Sequence, residues 1–177
     1  RTWRKMDRVS MSEQDIPSVW AQFKKLSEPA CKVKELMLGS MKLCDKDVIV
    51  LVKNLEKNGS LTRLSLEDNN IGDKGAAALA QCVIAHTKLK ELYLGSNSIT
   101  DAGSLAFAQS LANSNAQLQT LSFSYNKGIT DNCVEEWKKT LEANTKLKEL
   151  YLSATSLSPT AKQLLADQKL FNNRVIL

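Results

Sequence analysis

The sequence predicts an α/β solenoid, in which one strand–turn–helix unit is repeated along the chain. The apolar pattern Leu-x-x-Leu-x-Leu returns every 28 or 29 residues, and the octet at 87–94 recurs letter for letter at 145–152. Units of this length bury their apolar side chains only against neighbouring units, so the repeat determines the fold. The pattern begins at Val33, Leu61, Leu89, Leu118, Leu147 and Val175.

Each Leu-x-x-Leu-x-Leu segment predicts a short strand whose apolar side chains point inward. An Asn follows the central strands at a fixed offset, at Asn69, Asn97 and Asn126. A buried Asn side chain can bond loop backbone groups that would otherwise lack partners. Met41 and Thr155 hold that position in the outer repeats, where we expect less regular turns.

A helix is predicted in the second half of each repeat. Its first turn is marked by an acid or by Pro, residue types that favour a helix start: Asp45, Asp73, Asp101, Asp131 and Pro159. Thr100, Thr130 and Ser158 precede three of these positions as expected N-caps. Gly75 and Gly103 keep a later position small, which predicts close packing of the helix on its neighbour.

The chain divides into an irregular N-terminal cap at 1–32 and, at 33–177, five repeats plus the start of a sixth strand. Within the cap, Val19, Trp20, Phe23 and Leu26 predict a short amphipathic helix that Pro29 ends. A terminal repeat needs such a cover for its last apolar face. The final strand either closes the chain or belongs to a longer array.

Composition predicts the compartment and excludes several kinds of site. The four Cys form no C-x-x-C pair, which favours free buried thiols in a reducing, cytoplasmic setting and gives no zinc site. No apolar run is long enough to span a membrane. A single His, His86, and no Gly-rich phosphate loop argue against catalysis. We expect no metal, no cofactor and no nucleic acid.

The block at 97–103, Asn-Ser-Ile-Thr-Asp-Ala-Gly, and the alternation of 28 and 29 residues resemble the ribonuclease-inhibitor-type leucine-rich repeats. The resemblance covers 33–177. It implies a leucine-rich repeat solenoid, a right-handed β-α superhelix with a concave parallel sheet and outer helices. Its relatives include NOD-like receptor sensor domains, tropomodulin and the Ran GTPase-activating protein. Most of them bind proteins, so the resemblance implies a protein-interaction module.

The positions between the leucines are expected to face outward on the concave sheet. They carry five acids against one base, although the whole chain has a net charge of +5. All three Tyr of the chain fall on the same surface, and Tyr is enriched in interface cores. We predict a protein partner with a basic segment. The candidate partner-binding residues are Glu35, Met37, Arg63, Glu67, Asp68, Glu91, Tyr93, Tyr125, Glu149 and Tyr151.

Three alternatives stay open. The acidic rows are equally well explained as a solvated face, because Glu35, Arg63 and Glu91 would form a stabilising ladder across adjacent strands. The chain could instead be an architectural subunit of a larger complex, held through its helices and termini. A GTPase-activating regulator using Arg63 is the third alternative. It has little support, since no Arg follows an Asn turn.

Overall fold

The computed structural model describes residues 8–10 (backbone only), 23–28, 30–85, 88–112, 116–166 and 174–177. In these ranges the strands form one parallel sheet whose order follows the chain. The strands are β1 Arg8–Ser10, β2 Glu35–Met37, β3 Arg63–Ser65, β4 Glu91–Tyr93, β5 Thr120–Ser122, β6 Glu149–Tyr151 and β7 Val175–Ile176.

A helix follows each strand from β2 to β6 and leads to the next one, so the predicted α/β solenoid is confirmed. The helices are α1 Asp45–Leu55, α2 Asp73–Ala85, α3 Asp101–Ala112, α4 Val134–Ala143 and α5 Pro159–Leu165. A 3-10 turn, Asp131–Cys133, precedes α4. Among the described helices, none has the length and hydropathy to cross a membrane.

The strands pair in the register that the leucine spacing predicts. Glu35 pairs with Arg63, and Arg63 with Glu91. The middle leucine of each strand therefore aligns with its counterparts: Leu36, Leu64, Leu92, Leu121 and Leu150. All five are fully buried. Burial of a Leu side chain contributes roughly 1.5–3 kcal/mol, so this row is a main source of the solenoid's stability.

The Asn side chains tie each turn to the turn before it. The Asn69 carbonyl accepts the backbone N–H groups of Met41 and Leu43 at 3.0 and 2.9 Å, and its amide donates to Leu38 O at 2.8 Å. Asn97 and Asn126 repeat this arrangement one and two units later. In the fifth repeat, Thr155 bonds only within its own turn. The predicted role of the Asn is confirmed.

The acid at each helix start caps the helix of the following repeat. Asp73 Oδ1 accepts the backbone N–H groups of Thr100 and Gly103 at 2.8 and 2.9 Å. Gly103 is small for this reason, because a Cβ there would lie 2.6 Å from Asp73 Oδ1 and 2.8 Å from Ile99 Cγ2. The sequence predicted the small position and a favourable acid. It did not predict that the Asp73 carboxylate of one repeat is the reason why Gly103 of the next repeat is small.

The helices pack on a core of aromatic and apolar side chains. Phe123 contacts Phe107 and Trp137 edge-on, with ring centroids 5.3 and 6.3 Å apart. The fully buried Trp137 indole donates to Ser104 Oγ at 2.8 Å, so its polar atom has a partner. Trp137 is thus a packing residue of the core.

The N-terminal region contributes a strand that the sequence analysis did not identify. β1 extends the sheet by pairing with β2, from Arg8–Glu35 to Ser10–Met37, so this stretch of the cap is not irregular. Residues 23–26 are helical, and Phe23 and Leu26 are fully buried. Val19, Trp20 and Pro29 of the predicted amphipathic helix lie outside the described residues, as does His86.

Candidate functional site

The sheet face is the surface formed by the outward side chains of β2–β6 and by the turns that follow these strands. In its first row, Arg63 Nη2 lies 2.6 Å from Glu91 Oε2, across adjacent strands. Both side chains are partly exposed, and ion pairs of this kind contribute little stability. The predicted ladder thus exists between Arg63 and Glu91. Its main consequence is that this carboxylate is already paired within the chain.

The second row carries two of the three tyrosines. The Tyr93 hydroxyl donates to Glu91 Oε2 at 2.9 Å. Burial, followed by the hydrogen bond to Glu91 and its charge, raises the pKa of Tyr93 to about 12. Burial and the neighbouring Glu149 also raise the pKa of Tyr151. Each of these tyrosines therefore stands beside the Glu two residues earlier on its own strand.

A short side chain separates these tyrosines. Ser122 on β5 pairs in register with Tyr93 on one side and Tyr151 on the other. Its position was predicted to face outward, but Ser122 is only 5% exposed. The same holds for Ser65, at 3%, and for Thr120, at 8%. These small side chains lie between longer side chains of the adjacent strands, which shield them from solvent. The alternation along a single strand cannot predict this shielding.

The third tyrosine lies in the turn after β5. Tyr125 has a φ of 64°, and the equivalent positions Ser40, Asp68, Ser96 and Ala154 have φ between 53° and 57°. Non-Gly residues adopt this left-handed conformation infrequently. The Tyr125 N–H donates to Ser153 O at 2.8 Å, which fixes the turn. With its ring held outside the sheet, Tyr125 is 61% exposed.

Tyr93, Tyr125 and Tyr151 line one open groove of about 430 Å³ together with Glu67. Four of the ten predicted partner-binding residues thus meet at one place. The groove is also lined by residues the sequence analysis did not select: Gly95, Ser96, Ser122 and Ser124. Their positions in the outward rows could have identified them from the sequence. They were not selected because small polar residues are common in surface positions of every kind.

The other candidates lie elsewhere on the sheet face. Met37 is half-buried at the β2 end of the sheet face, and Glu35 pairs in register with Arg63. Asp68 is exposed and accepts a hydrogen bond from Ser40 Oγ at 2.7 Å. Glu149 is exposed and accepts from Thr120 Oγ1 at 3.0 Å. These acids belong to the sheet face but are not among the residues that line the groove.

Two kinds of chemistry find little support in this geometry. Across the described ranges, His, Cys, Asp and Glu side chains nowhere gather in groups of three that could hold a metal ion. Arg63, the residue considered for GTPase activation, lies within a strand and pairs with Glu91. The arrangement is one of aromatic faces, hydroxyls and carboxylates, which suits noncovalent recognition.

Comparison with known proteins agrees with the repeat pattern. A family profile described as Leucine Rich repeat matches residues 57–80 and 85–108. NACHT, LRR and PYD domains-containing protein 3 of Bos taurus is 28% identical over 143 residues, which cover 81% of this chain. The chain spans only 11% of the length of that relative.

Two solved structures have the same fold. The structure of Leiomodin-1 Actin-Binding Site 2 superposes with a TM-score of 0.70 at 22% identity, covering 93% of this chain and 91% of the other. The tropomodulin C-terminal domain of Caenorhabditis elegans gives a TM-score of 0.69 at 16% identity, covering 90% and 93%. The profile match and the two structures agree on the architecture: the chain is an α/β solenoid built from repeats similar to leucine-rich repeats.

Proposed function

We propose that this chain is a non-catalytic protein-interaction module that binds a protein partner on its sheet face. The observation that carries the proposal is that all three tyrosines of the chain line one open groove. Tyr combines a large apolar ring with a polar tip and is enriched among residues that dominate binding energy. None of the three rings belongs to the buried core, because they stand on the outside of the sheet.

Charge supports a partner with a basic segment. Glu67, Asp68 and Glu149 are exposed on the sheet face, while Arg63 is neutralised by its pair with Glu91. Such a field attracts cationic segments and mainly increases the association rate, since charges at a rim contribute less to the lifetime of a complex. The tyrosine contacts would instead slow the dissociation of the complex.

The similar structures support the class of function. One of them is named for an actin-binding site, so a leucine-rich repeat solenoid of comparable size serves protein binding there. Actin is accordingly one defined candidate partner to test. We also propose a reducing compartment such as the cytoplasm, which the four free cysteines support.

An architectural role is the second candidate. Ile84 on α2 and Leu164 on α5 are 37% and 44% exposed, so the helix side also offers apolar contacts. They are isolated side chains on separate helices, and single exposed apolar residues are normal on protein surfaces. The sheet face is favoured because its aromatic residues converge on one groove.

A pair of matched variants tests the proposal. Proteins that the intact chain retains from a cell extract are identified, and purified actin is included as a defined candidate. The affinity of each protein is then measured for the intact chain and for the variants Tyr125→Ala and Lys139→Ala. Ala154 adopts the Tyr125 backbone conformation in the next repeat, so alanine is compatible with this turn. Lys139 lies on the outer helix α4, with its side chain 70% exposed.

We expect Tyr125→Ala to weaken binding by about 2 kcal/mol, the cost of truncating a binding hot spot. Lys139→Ala should leave the affinity unchanged. The opposite pattern, with normal binding by Tyr125→Ala and loss with Lys139→Ala, would replace the sheet-face proposal with the architectural one.

A further inference from the structure

We propose that the groove receives one arginine side chain of the partner, between Tyr93 and Tyr151, with Glu67 as its counter-ion. This inference rests on the proposed function and specifies the group that the sheet face recognises. It is carried by the register of three strands, the position of one carboxylate and the hydroxyl groups around the groove.

The register creates a slot. Tyr93 and Tyr151 stand two strands apart, with the short Ser122 between them. Because neighbouring parallel strands are separated by about 4.8 Å, the two tyrosine backbones lie about 10 Å apart. Tyr125 adds a third aromatic side chain from the turn after β5. A flat cation in such a slot is attracted to the electron-rich faces of aromatic rings.

Glu67 is the carboxylate that lines this groove. A Cβ at Gly95 would lie 3.2 Å from Glu67 Oε1, so the absence of a side chain at Gly95 leaves room for the carboxylate. Ser65 Oγ donates to its other oxygen at 3.3 Å. Glu91 is instead paired with Arg63, and neither Glu91 nor Glu149 lines the groove. Glu67 therefore supplies the negative charge that a bound cation would meet first.

The polar atoms of the groove distinguish arginine from other cationic side chains. Ser96, Ser122 and Ser124 line it, so hydroxyl oxygens and the Glu67 carboxylate can accept hydrogen bonds. A guanidinium has five N–H donors, is planar and stacks on aromatic rings. A lysine ammonium is a compact point charge with three donors. A trimethylated lysine has no donor and would leave these acceptors unbonded.

The composition of the chain makes the direct test selective. Because its three tyrosines all line the groove, ¹³C labelling of tyrosine rings produces signals from the groove alone. The labelled chain is titrated with three short Gly/Ser peptides that differ in one central residue, which is arginine, lysine or trimethyllysine. The arginine peptide should shift all three ring signals and bind at least about threefold more tightly than the other two. Absence of shifts with this peptide, or equal or tighter binding of either other peptide, overturns the arginine assignment.

A charge variant tests the counter-ion. Glu67→Gln keeps the size of the side chain and should weaken binding of the arginine peptide about tenfold, the effect of losing one charge-assisted hydrogen bond. Glu142→Gln is the matched control, since Glu142 is exposed on α4 away from the sheet. Equal binding by Glu67→Gln and the parent would overturn the role of Glu67.

The inference and the proposed function fail in different ways. If the arginine peptide leaves the tyrosine signals unchanged while the partner still requires Tyr125, the sheet face binds its partner by other contacts and only the inference is lost. If the peptide binds but the partner tolerates Tyr125→Ala and loses affinity on substitution of the helix side, the proposed function is lost.

Discussion

The hydroxyl of Tyr93 donates a hydrogen bond of 2.9 Å to Glu91, and Arg63 approaches the same carboxylate oxygen to 2.6 Å from the neighbouring strand. The three side chains form a continuous polar chain across β3 and β4. The carboxylate thus serves two partners within the molecule. It restrains Tyr93 at the groove. The carboxylate that lines the groove, and that a ligand can contact, is Glu67.

The first prediction concerns the ionisation of Tyr93. Burial and Glu91 raise its pKa to about 12, and Glu91→Gln should lower that pKa, because both the charge and the carboxylate acceptor are removed. The native state holds this proton more tightly than the unfolded chain. The contribution of Tyr93 to stability should therefore be constant below pH 10 and be lost as the pH rises from 10 to 12. Tyrosine-ring NMR measures the titration. An identical Tyr93 pKa in parent and variant would show that Glu91 has no such role.

The second prediction concerns the Asn that connects the turns. Asn126 is fully buried; it accepts the Ile99 N–H at 3.0 Å and donates to Leu94 O at 2.9 Å and Phe123 O at 2.8 Å. Asn126→Ala removes all three bonds and leaves the Ile99 N–H without its acceptor, while Leu94 O and Phe123 O each keep one other bond, so we expect a loss of about 3 kcal/mol in the free energy of unfolding. Asn70→Ala, at an exposed position, is the control. Chemical denaturation gives both values, and similar losses would contradict the assignment.

The third prediction concerns Gly103 in α3. Within a helix, Gly→Ala usually gains about 1 kcal/mol in helix propensity. Here a Cβ would lie 2.6 Å from Asp73 Oδ1 and 2.8 Å from Ile99 Cγ2. Overpacking costs about 1–3 kcal/mol, so Gly103→Ala should be destabilising. Gly59→Ala is the control, because nothing lies within 4 Å of its added Cβ. A thermal unfolding midpoint for Gly103→Ala at or above that of the parent would refute the close packing.

The fourth prediction concerns thiol reactivity. Burial raises the pKa of Cys82 and of Cys133 to about 11 in each case, which leaves almost no thiolate at pH 8. Both should resist iodoacetamide in the native protein, whereas the half-buried Cys44 should react first. Peptide mass spectrometry locates the modification, and the denatured chain serves as the fully reactive control. Rapid labelling of Cys133 in the native state would show that the 3-10 turn before α4 does not pack as described.

The fold was predictable because the repeated leucine spacing shows which residues, far apart in the sequence, are equivalent in successive repeats and therefore lie side by side. The pairing of Leu64 with Leu92 follows from the repeat of 28 or 29 residues, as does the alignment of Asn97 with Asn126. β1 was not predictable in this way. Arg8–Ser10 carries one apolar residue and none of the leucine pattern, so its strand conformation depends on pairing with β2.

The site was predictable in part. Alternation along β4 and β6 indicates that Tyr93 and Tyr151 share a face. The sequence did not indicate that Tyr125 adopts a left-handed backbone, because no Gly marks the position. The predicted ladder included the pair of Arg63 with Glu91, but the sequence did not show that Tyr93 donates to the same carboxylate oxygen, since this depends on side-chain conformation.

Oxidative footprinting of the purified complex shows directly whether the protein partner is bound on the sheet face. Tyr125 on the sheet face and Leu164 on α5 are both well exposed in the free chain, at 61% and 44%, so each can report its own side. A partner bound on the sheet face should reduce oxidation of Tyr125 while Leu164 is oxidised as in the free chain. Protection of Leu164 with unchanged oxidation of Tyr125 would contradict binding on the sheet face.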